Sequence, residues 1–163
     1  MSSVAVLGAG SWGTTLAVHL AGLGHPVSLW DIDSSHLANL EADRENRKFL
    51  TGIALPGSIK VQPQLEVALA GAEFTLFVVP SHGMRSASER VAATGARSLW
   101  VCAAKGLEVG TLKRMTEVLS ETLGDPAPVL LVGPSHAEEV SRGIPTSIVA
   151  PILSTPGSLA IAS

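Results

Sequence analysis

The fold is decided near the start of the chain, where residues 3–17 read Ser3-Val4-Ala5-Val6-Leu7-Gly8-Ala9-Gly10-Ser11-Trp12-Gly13-Thr14-Thr15-Leu16-Ala17. A short apolar run leads directly into Gly-x-Gly-x-x-Gly and then into a pattern typical of a helix. A strand that ends at Gly8 can turn tightly there, Gly10 lets a diphosphate approach the backbone, and Gly13 lets the helix pack close to the strand. The first N–H groups of that helix would face the phosphates. Residues 3–24 are therefore predicted to form the first strand–helix unit of a dinucleotide-binding fold.

A carboxylate follows at the expected distance. The run Val27-Ser28-Leu29-Trp30-Asp31 predicts a second strand ending in Asp31, which lies 18 residues beyond Gly13. This is close to the roughly 20 residues at which an acidic side chain accepts hydrogen bonds from the adenosine ribose. An isolated Gly-x-Gly-x-x-Gly is compatible with any glycine-rich turn, but strand, helix, turn and acid in this order favour the dinucleotide site.

Composition excludes several classes of protein. The chain has 163 residues, of which 46% are hydrophobic, enough for one soluble domain with a single core. A net charge of −3, the absence of tyrosine and an aromatic content of 4% argue against a nucleic-acid partner. No apolar run approaches the roughly 18 residues of a membrane span, and no secretory signal is evident. The one cysteine, Cys102, excludes an internal disulfide, so we expect a cytoplasmic protein.

Apolar runs alternate with helical patterns along the chain, which predicts parallel strands joined by crossover helices. Further strands are expected near residues 59–61, 74–79, 98–102, 129–132 and 147–149, and helices near 34–47, 65–69 and 111–123. Most of 51–63 is expected to be a loop. The fold class predicted is α/β, a doubly wound, mainly parallel, Rossmann-type sheet in one domain, 1–163. The small-residue tail from Pro151 to Ser163 looks like an interrupted protein rather than a finished one.

Ligands of open parallel sheets bind beyond the carboxyl ends of the strands, so the residues that follow each strand are the candidates. Lys105 follows a buried run and has small neighbours; it suits an anion or a polarised carbonyl, or it is a solvated loop lysine. Ser135 matches a capping box, a role compatible with anion binding at a helix start. His82 and His136 fall at the same edge, where an imidazole can serve as a general acid or base. No spacing of cysteine and histidine indicates a metal site.

Four motifs in order make a family resemblance specific. They are Gly8-Ala9-Gly10-Ser11-Trp12-Gly13-Thr14, Val79-Pro80-Ser81, Ala104-Lys105-Gly106-Leu107-Glu108 and Gly133-Pro134-Ser135-His136-Ala137-Glu138-Glu139. With Asn46-Arg47-Lys48-Phe49-Leu50 and Leu55-Pro56, the chain resembles bacterial-type NAD(P)-dependent glycerol-3-phosphate dehydrogenase over about its whole length.

The resemblance implies reversible hydride transfer between a nicotinamide cofactor, NAD or NADP, and glycerol 3-phosphate or dihydroxyacetone phosphate, for glycerophospholipid synthesis. By matched position it implies cofactor contacts and substrate contacts in this chain. The cofactor-binding residues expected from the glycine motif, the acid and the resemblance together are Gly8, Gly10, Ser11, Trp12, Gly13, Asp31, Lys105 and Ala137. The substrate-binding residues implied are Lys105, Gly133 and Ser135.

Two departures from the family limit these expectations. Members of the family are about twice as long, and their proton-accepting lysine lies in a helical second domain, so no catalytic residue is expected before Ser163 and the chain alone is expected to be inactive. We expect the full-length protein to be a homo-oligomer. Many relatives have a basic residue just after the second strand. Here Asp31-Ile32-Asp33 follows that strand and no lysine or arginine occurs before Arg44, which favours NAD over NADP. The alternatives are another Rossmann dehydrogenase and a non-catalytic dinucleotide sensor, which would not need Lys105.

Overall fold

A six-stranded parallel sheet forms the centre of the protein in the computed structural model, which describes residues 1–124, 127–133, 136–145 and 147–150. Its order is β5-β2-β1-β6-β7-β8, and every pairing within it is parallel. The strands are β1 (Val4–Leu7), β2 (Val27–Trp30), β3 (Glu45–Asn46), β4 (Leu50–Ala54), β5 (Ile59–Val61), β6 (Phe74–Phe77), β7 (Leu99–Cys102) and β8 (Val129–Leu130), with β3 and β4 forming a separate antiparallel pair. The helices are α1 (Ser11–Gly22), α2 (Ser34–Asp43), α3 (Leu65–Leu69), α4 (Met84–Ala93), α5 (Met115–Leu123) and α6 (Ala137–Ser141), and a 3₁₀ turn spans Ser81–Gly83.

The strand order reverses at β1, and this reversal places the ligand edge. From β1 the chain proceeds outward to β2 and β5, then returns to β6 on the other side of β1 and continues to β7 and β8. Because crossovers between parallel strands are right-handed as a rule, crossovers that run in opposite directions from β1 put helices on both faces of the sheet. The predicted doubly wound, parallel α/β class is confirmed, and the crevice beside β1 is its switch point.

The central strands are buried on both faces, as their unalternated apolar runs predict. No residue of β1 is more than 4% exposed, and Phe77 of β6 is fully buried. Burying one such side chain contributes roughly 1.5–3 kcal/mol, so these strands anchor the fold and hold the residues that follow them in place. Among the described residues, no helix is long and apolar enough to cross a membrane.

The predicted helix over 34–47 is wrong beyond Asp43, and the predicted loop over 51–63 is wrong where β4 forms. The helix ends because Arg44 takes a left-handed conformation, with φ 51°. Its guanidinium donates to the carbonyl oxygens of Pro56 at 2.7 Å and Ile59 at 2.9 Å, so contacts with a later segment override local helix propensity. The chain then enters the hairpin β3–β4.

Smaller differences occur toward the end of the described chain. The helix expected from residue 111 begins only at Met115, because the turn before it is closed by a bridge between Leu107 and Arg114. The strand expected over 129–132 is the two-residue, half-buried β8, and the strand expected over 147–149 is reduced to a single bridge between Val149 and Val132. The predicted capping box at Ser135 and the tail 151–163 lie outside the described residues.

Candidate functional site

A cleft of about 820 Å³ opens at the carboxyl ends of β1, β2, β6 and β7. This is within the size range of small-molecule and cofactor sites. The eight residues predicted to bind a cofactor all line it, namely Gly8, Gly10, Ser11, Trp12, Gly13, Asp31, Lys105 and Ala137. The topology thus brings together residues that are more than a hundred positions apart in the chain.

The three glycines of the turn differ in what a side chain would meet. Gly8 has φ +109°, and a Cβ there would lie 2.6 Å from the carbonyl oxygen of Val78. A Cβ at Gly13 would lie 1.8 Å from the carbonyl oxygen of Gly8, so this residue allows α1 to pack directly on the turn. At Gly10 a Cβ would meet nothing within 4 Å. The first and third glycines are required by the fold, whereas the second leaves open space beside the cleft.

The start of α1 is suited to an anion. Its N-cap is Gly10, which has no side chain to satisfy the first N–H groups, and its first turn contains no acidic residue. The free N–H groups of a helix start carry the positive end of the helix dipole, which favours phosphate. Because Ser11 and Trp12 line the cleft, this end of the helix faces the space that a ligand would occupy.

Asp31 supports the glycine turn from the end of β2. Its Oδ2 accepts a hydrogen bond from the N–H of Ala9 at 2.6 Å, and its Oδ1 accepts one from the N–H of Asp33 at 2.9 Å. The carboxylate is half-buried and lines the cleft. Since each carboxylate oxygen has two lone pairs, these bonds leave acceptor capacity toward the cleft. Asp31 therefore has a structural contact that its spacing from Gly13 did not predict.

The hairpin β3–β4 and helix α2 add residues to the site that sequence reasoning did not assign to it. Lys48 lies with its Nζ 3.6 Å from Oδ2 of Asp33 and 4.9 Å from the centre of the Phe49 ring. The Phe49 ring in turn meets the His36 ring edge-on at 5.2 Å. Asp33 has a lowered pKa, chiefly because its carboxylate accepts a hydrogen bond from the N–H of His36 and also because Lys48 is near. The one available signal was the motif around Asn46, which carried the family resemblance but no predicted role.

Lys105 is exposed and lines the cleft just beyond β7. The loop that carries it is held by Glu108, whose carboxylate accepts two hydrogen bonds from the guanidinium of Arg85 at 2.7 and 3.0 Å and a third from the hydroxyl of Thr111. Arg85 first, and Thr111 after it, lower the pKa of Glu108 to about 2. This charged clamp of Arg85, Glu108 and Thr111 connects the loop to α4, and residues of α4 also line the cleft.

The three site residues predicted from the motif that begins at Gly133 are placed differently. Ala137 lines the cleft, and its carbonyl oxygen accepts a hydrogen bond from the buried hydroxyl of Thr15 at 3.1 Å, which fixes α6 against α1. Gly133 is not among the described residues that line the cleft; a Cβ there would lie 2.4 Å from the carbonyl oxygen of Ser147. Ser135 lies outside the described residues.

The two histidines expected at this edge, His82 and His136, are exposed and line the cleft. Within the described part of the chain, no cluster of three or more histidine, cysteine, aspartate or glutamate side chains is arranged to hold a metal ion.

Fold and cleft together define a Rossmann-type α/β domain with a glycine-rich turn at the head of its first helix. Residues 3–155 match the family model described as the N-terminus of NAD-dependent glycerol-3-phosphate dehydrogenase. The chain belongs to this family, which confirms the resemblance seen in the four sequence motifs.

Individual relatives agree with the family match. The chain is 47% identical to a protein of Pelodictyon phaeoclathratiforme named glycerol-3-phosphate dehydrogenase [NAD(P)+], over 91% of this chain and 46% of the relative. It is 43% identical to a protein of the same name from Thermoanaerobacter sp., over 90% of this chain and 44% of the relative. The crystal structure of glycerol-3-phosphate dehydrogenase from Coxiella burnetii superimposes with a TM-score of 0.83 at 33% identity, covering 90% of this chain and 45% of that one. The chain therefore spans just under half the length of these relatives.

Proposed function

We propose that this chain is the cofactor-binding half of an NAD(P)-dependent glycerol-3-phosphate dehydrogenase and contributes Lys105 to the substrate site. The observation that carries the proposal is the cleft itself, where the glycine turn, Asp31 and Lys105 meet at one edge of the sheet. The residues present fit a dinucleotide, because Gly10 leaves open space beside a helix start without a side-chain cap.

Each part of the cleft has a definite task in this proposal. The N–H groups of Ser11 and Trp12 bind the diphosphate, and the free lone pairs of Asp31 accept hydrogen bonds from the adenosine ribose. The nicotinamide of the bound cofactor supplies the hydride acceptor or donor. Lys105 places a positive charge where the phosphate or the carbonyl oxygen of the substrate needs one. Ala137 as a cofactor contact, and Gly133 and Ser135 as substrate contacts, are part of the proposal on the strength of the family match.

The chain is proposed to prefer NAD over NADP. Asp31 and Asp33 put two carboxylates directly after β2, where the 2′ position of the ribose is expected, and these repel a phosphate. The ammonium of Lys48 would attract a 2′-phosphate, but it lies 3.6 Å from the Asp33 carboxylate and is already paired with it. Titration of the chain with NADH and with NADPH tests the preference. Tighter binding of NADPH would contradict it.

The proposed function is tested by binding to residues 1–163. NADH should bind with enhanced fluorescence, and glycerol 3-phosphate should bind to the complex with NAD⁺ by calorimetry. Lys105→Ala should weaken glycerol 3-phosphate binding roughly tenfold or more, the value of a charge-assisted hydrogen bond. Lys60→Ala, at an exposed position of the edge strand β5, is the matched control and should leave both affinities unchanged.

Two outcomes would count against this function. Failure of NADH to bind the folded chain would refute the cofactor role. Binding of NADH by wild type and by Lys105→Ala, with no response to glycerol 3-phosphate in either, would instead favour a dinucleotide sensor. We expect no NADH oxidation from residues 1–163 with dihydroxyacetone phosphate. The reason is that none of the positions of this chain that match the family corresponds to the family's proton-accepting lysine.

A cytoplasmic location and a homo-oligomeric full-length protein complete the proposal. The first is supported by the single cysteine, Cys102, which is free and buried. Cell fractionation and light scattering of the full-length protein test the two statements.

A further inference from the structure

The carbonyl oxygen of Ala9, in the middle of the glycine turn, accepts hydrogen bonds from three side chains. The donors are Nε2 of His36 at 2.9 Å, Nδ2 of Asn46 at 2.9 Å and Oγ1 of Thr14 at 3.4 Å. All three residues are buried, with Asn46 and Thr14 at 0% exposure. A carbonyl oxygen has two lone pairs, so this acceptor is saturated. Because a carbonyl only accepts, the contact also fixes the His36 tautomer with hydrogen on Nε2.

Asn46 is the centre of this network. Its Nδ2 donates to Oγ1 of Thr14 at 2.7 Å as well as to Ala9, and its Oδ1 accepts from the N–H of Phe49 at 3.1 Å. Every hydrogen of its amide is therefore used, and its orientation is determined by its partners. Asn46 belongs to the hairpin β3–β4, so the network ties that hairpin to the turn between β1 and α1.

The network fixes the backbone that leads into α1. In a planar trans peptide the N–H of Gly10 is antiparallel to the C=O of Ala9, so holding one sets the direction of the other. On the other side of the same residue, Asp31 holds the N–H of Ala9 at 2.6 Å. Two consecutive peptide units are thus clamped just before Ser11 and Trp12. Hydrogen bonds to a carbonyl also polarise its peptide and strengthen the donor at the other end.

We propose that Asn46, assisted by His36, is a positioning residue for the diphosphate of a dinucleotide. It holds the Ala9 carbonyl and so sets the backbone N–H groups of Gly10, Ser11 and Trp12 that receive the phosphate oxygens. The proposal rests on the proposed cofactor role of the cleft. Asn46 itself does not line the cleft and acts only through the turn.

Asn46→Ala separates this role from a general effect on stability. The probes are ADP, which has the diphosphate, and adenosine, which lacks it, titrated into ¹⁵N-labelled protein of 16.8 kDa. Asn46→Ala should weaken ADP binding about tenfold or more, as expected when one or two charge-assisted hydrogen bonds are misdirected. Adenosine affinity should change less than about twofold, because its contacts do not use the turn. The ADP-induced amide shifts of Ser11 and Trp12 should shrink in the variant.

Two further variants keep the test decisive. Leu119→Ala removes a fully buried side chain on α5 and supplies a destabilised protein with an intact turn, whose ADP affinity should match wild type. His36→Phe removes the Nε2 donor and preserves a ring beside Phe49, so it should weaken ADP binding by a smaller factor than Asn46→Ala and provides the test if that variant does not fold.

The outcomes distinguish this inference from the cofactor role. If folded Asn46→Ala and His36→Phe bind ADP as wild type does, the positioning role is wrong. It is equally wrong if they lose ADP and adenosine to the same extent, or if Leu119→Ala loses as much ADP affinity as they do. If wild type binds neither NADH nor ADP, the proposed function fails, and the inference fails with it.

Discussion

Alanine at Gly13 should destabilise the fold, whereas alanine at Gly10 should leave it intact and weaken dinucleotide binding. The Cβ at Gly13 would lie 1.8 Å from the Gly8 carbonyl oxygen, while ordinary contact begins at 3.4 Å. Helix α1 must therefore move by about 1.5 Å, because a backbone atom cannot rotate away as a side chain can. Overpacking costs about 1–3 kcal/mol or more, and the helix propensity of alanine offsets about 1 kcal/mol. Both contacting groups are fixed, so the overpacking cost lies at or above the upper end of this range, about 3 kcal/mol, and we expect a net loss of about 2 kcal/mol or more.

At Gly10 the same methyl group meets nothing within 4 Å, and the residue has φ −73°, which alanine adopts readily. The free energy of unfolding of Gly10→Ala should therefore stay within about 0.5 kcal/mol of wild type. Urea unfolding measures the stability of both variants, provided that the slope m of free energy against urea concentration is unchanged. A loss of about 2 kcal/mol then lowers the unfolding midpoint by about 1 M. NADH titration should show weaker binding to Gly10→Ala, whose methyl group occupies the approach of the diphosphate. A Gly13→Ala midpoint equal to that of wild type would refute the close-packing argument.

Three further predictions concern charge and burial. Glu108 has its pKa lowered to about 2 from 4.5, so its contribution to stability is fully present above pH 4.5 and is lost as the pH falls toward 2. Urea midpoints measured across this range should fall for wild type and fall less for Glu108→Gln; parallel curves would contradict the clamp. Lys48→Met should weaken NADPH binding roughly threefold to tenfold more than NADH binding, with Lys60→Met as control, and an unchanged ratio would exclude contact with the 2′-phosphate. Burial raises the pKa of the Cys102 thiol, so a thiol reagent should react slowly with folded protein and rapidly in urea; fast reaction of the folded protein would contradict its burial.

The parts of the site that the sequence predicted are those set by local chain geometry. Gly8 and Gly13 are required by a positive φ and a close approach within one turn, and both requirements appear directly as a motif. Asp31 follows its strand immediately, and Lys105 follows β7 by a short loop, so the parallel sheet alone brings them to one edge. These positions follow from the order of elements and need no knowledge of side-chain packing.

The parts that could not be predicted depend on contacts between distant segments. Arg44 ends α2 because its guanidinium finds carbonyl groups of residues 12 and 15 positions later, and no local pattern indicates those partners. Without that stop, the sequence predicted that 44–47 continue the helix, and it gave Asn46 no role of its own. The hairpin that places Asn46 in the core and Lys48 beside Asp33 was therefore missed together with them.

The same dependence explains why a glycine motif alone is a weak indicator of a binding site. The three glycines permit the turn, but they do not hold it, since glycine has the largest conformational freedom of any residue. Here Asp31 holds the N–H of Ala9 and Asn46 holds its carbonyl, from opposite sides and from two other segments. A turn that had the glycines but lacked these two partners would be free to change its conformation each time an anion bound or left. The geometry of the turn therefore depends as much on Asp31 and Asn46, which hydrogen-bond to the backbone of Ala9, as on the glycines that flank Ala9.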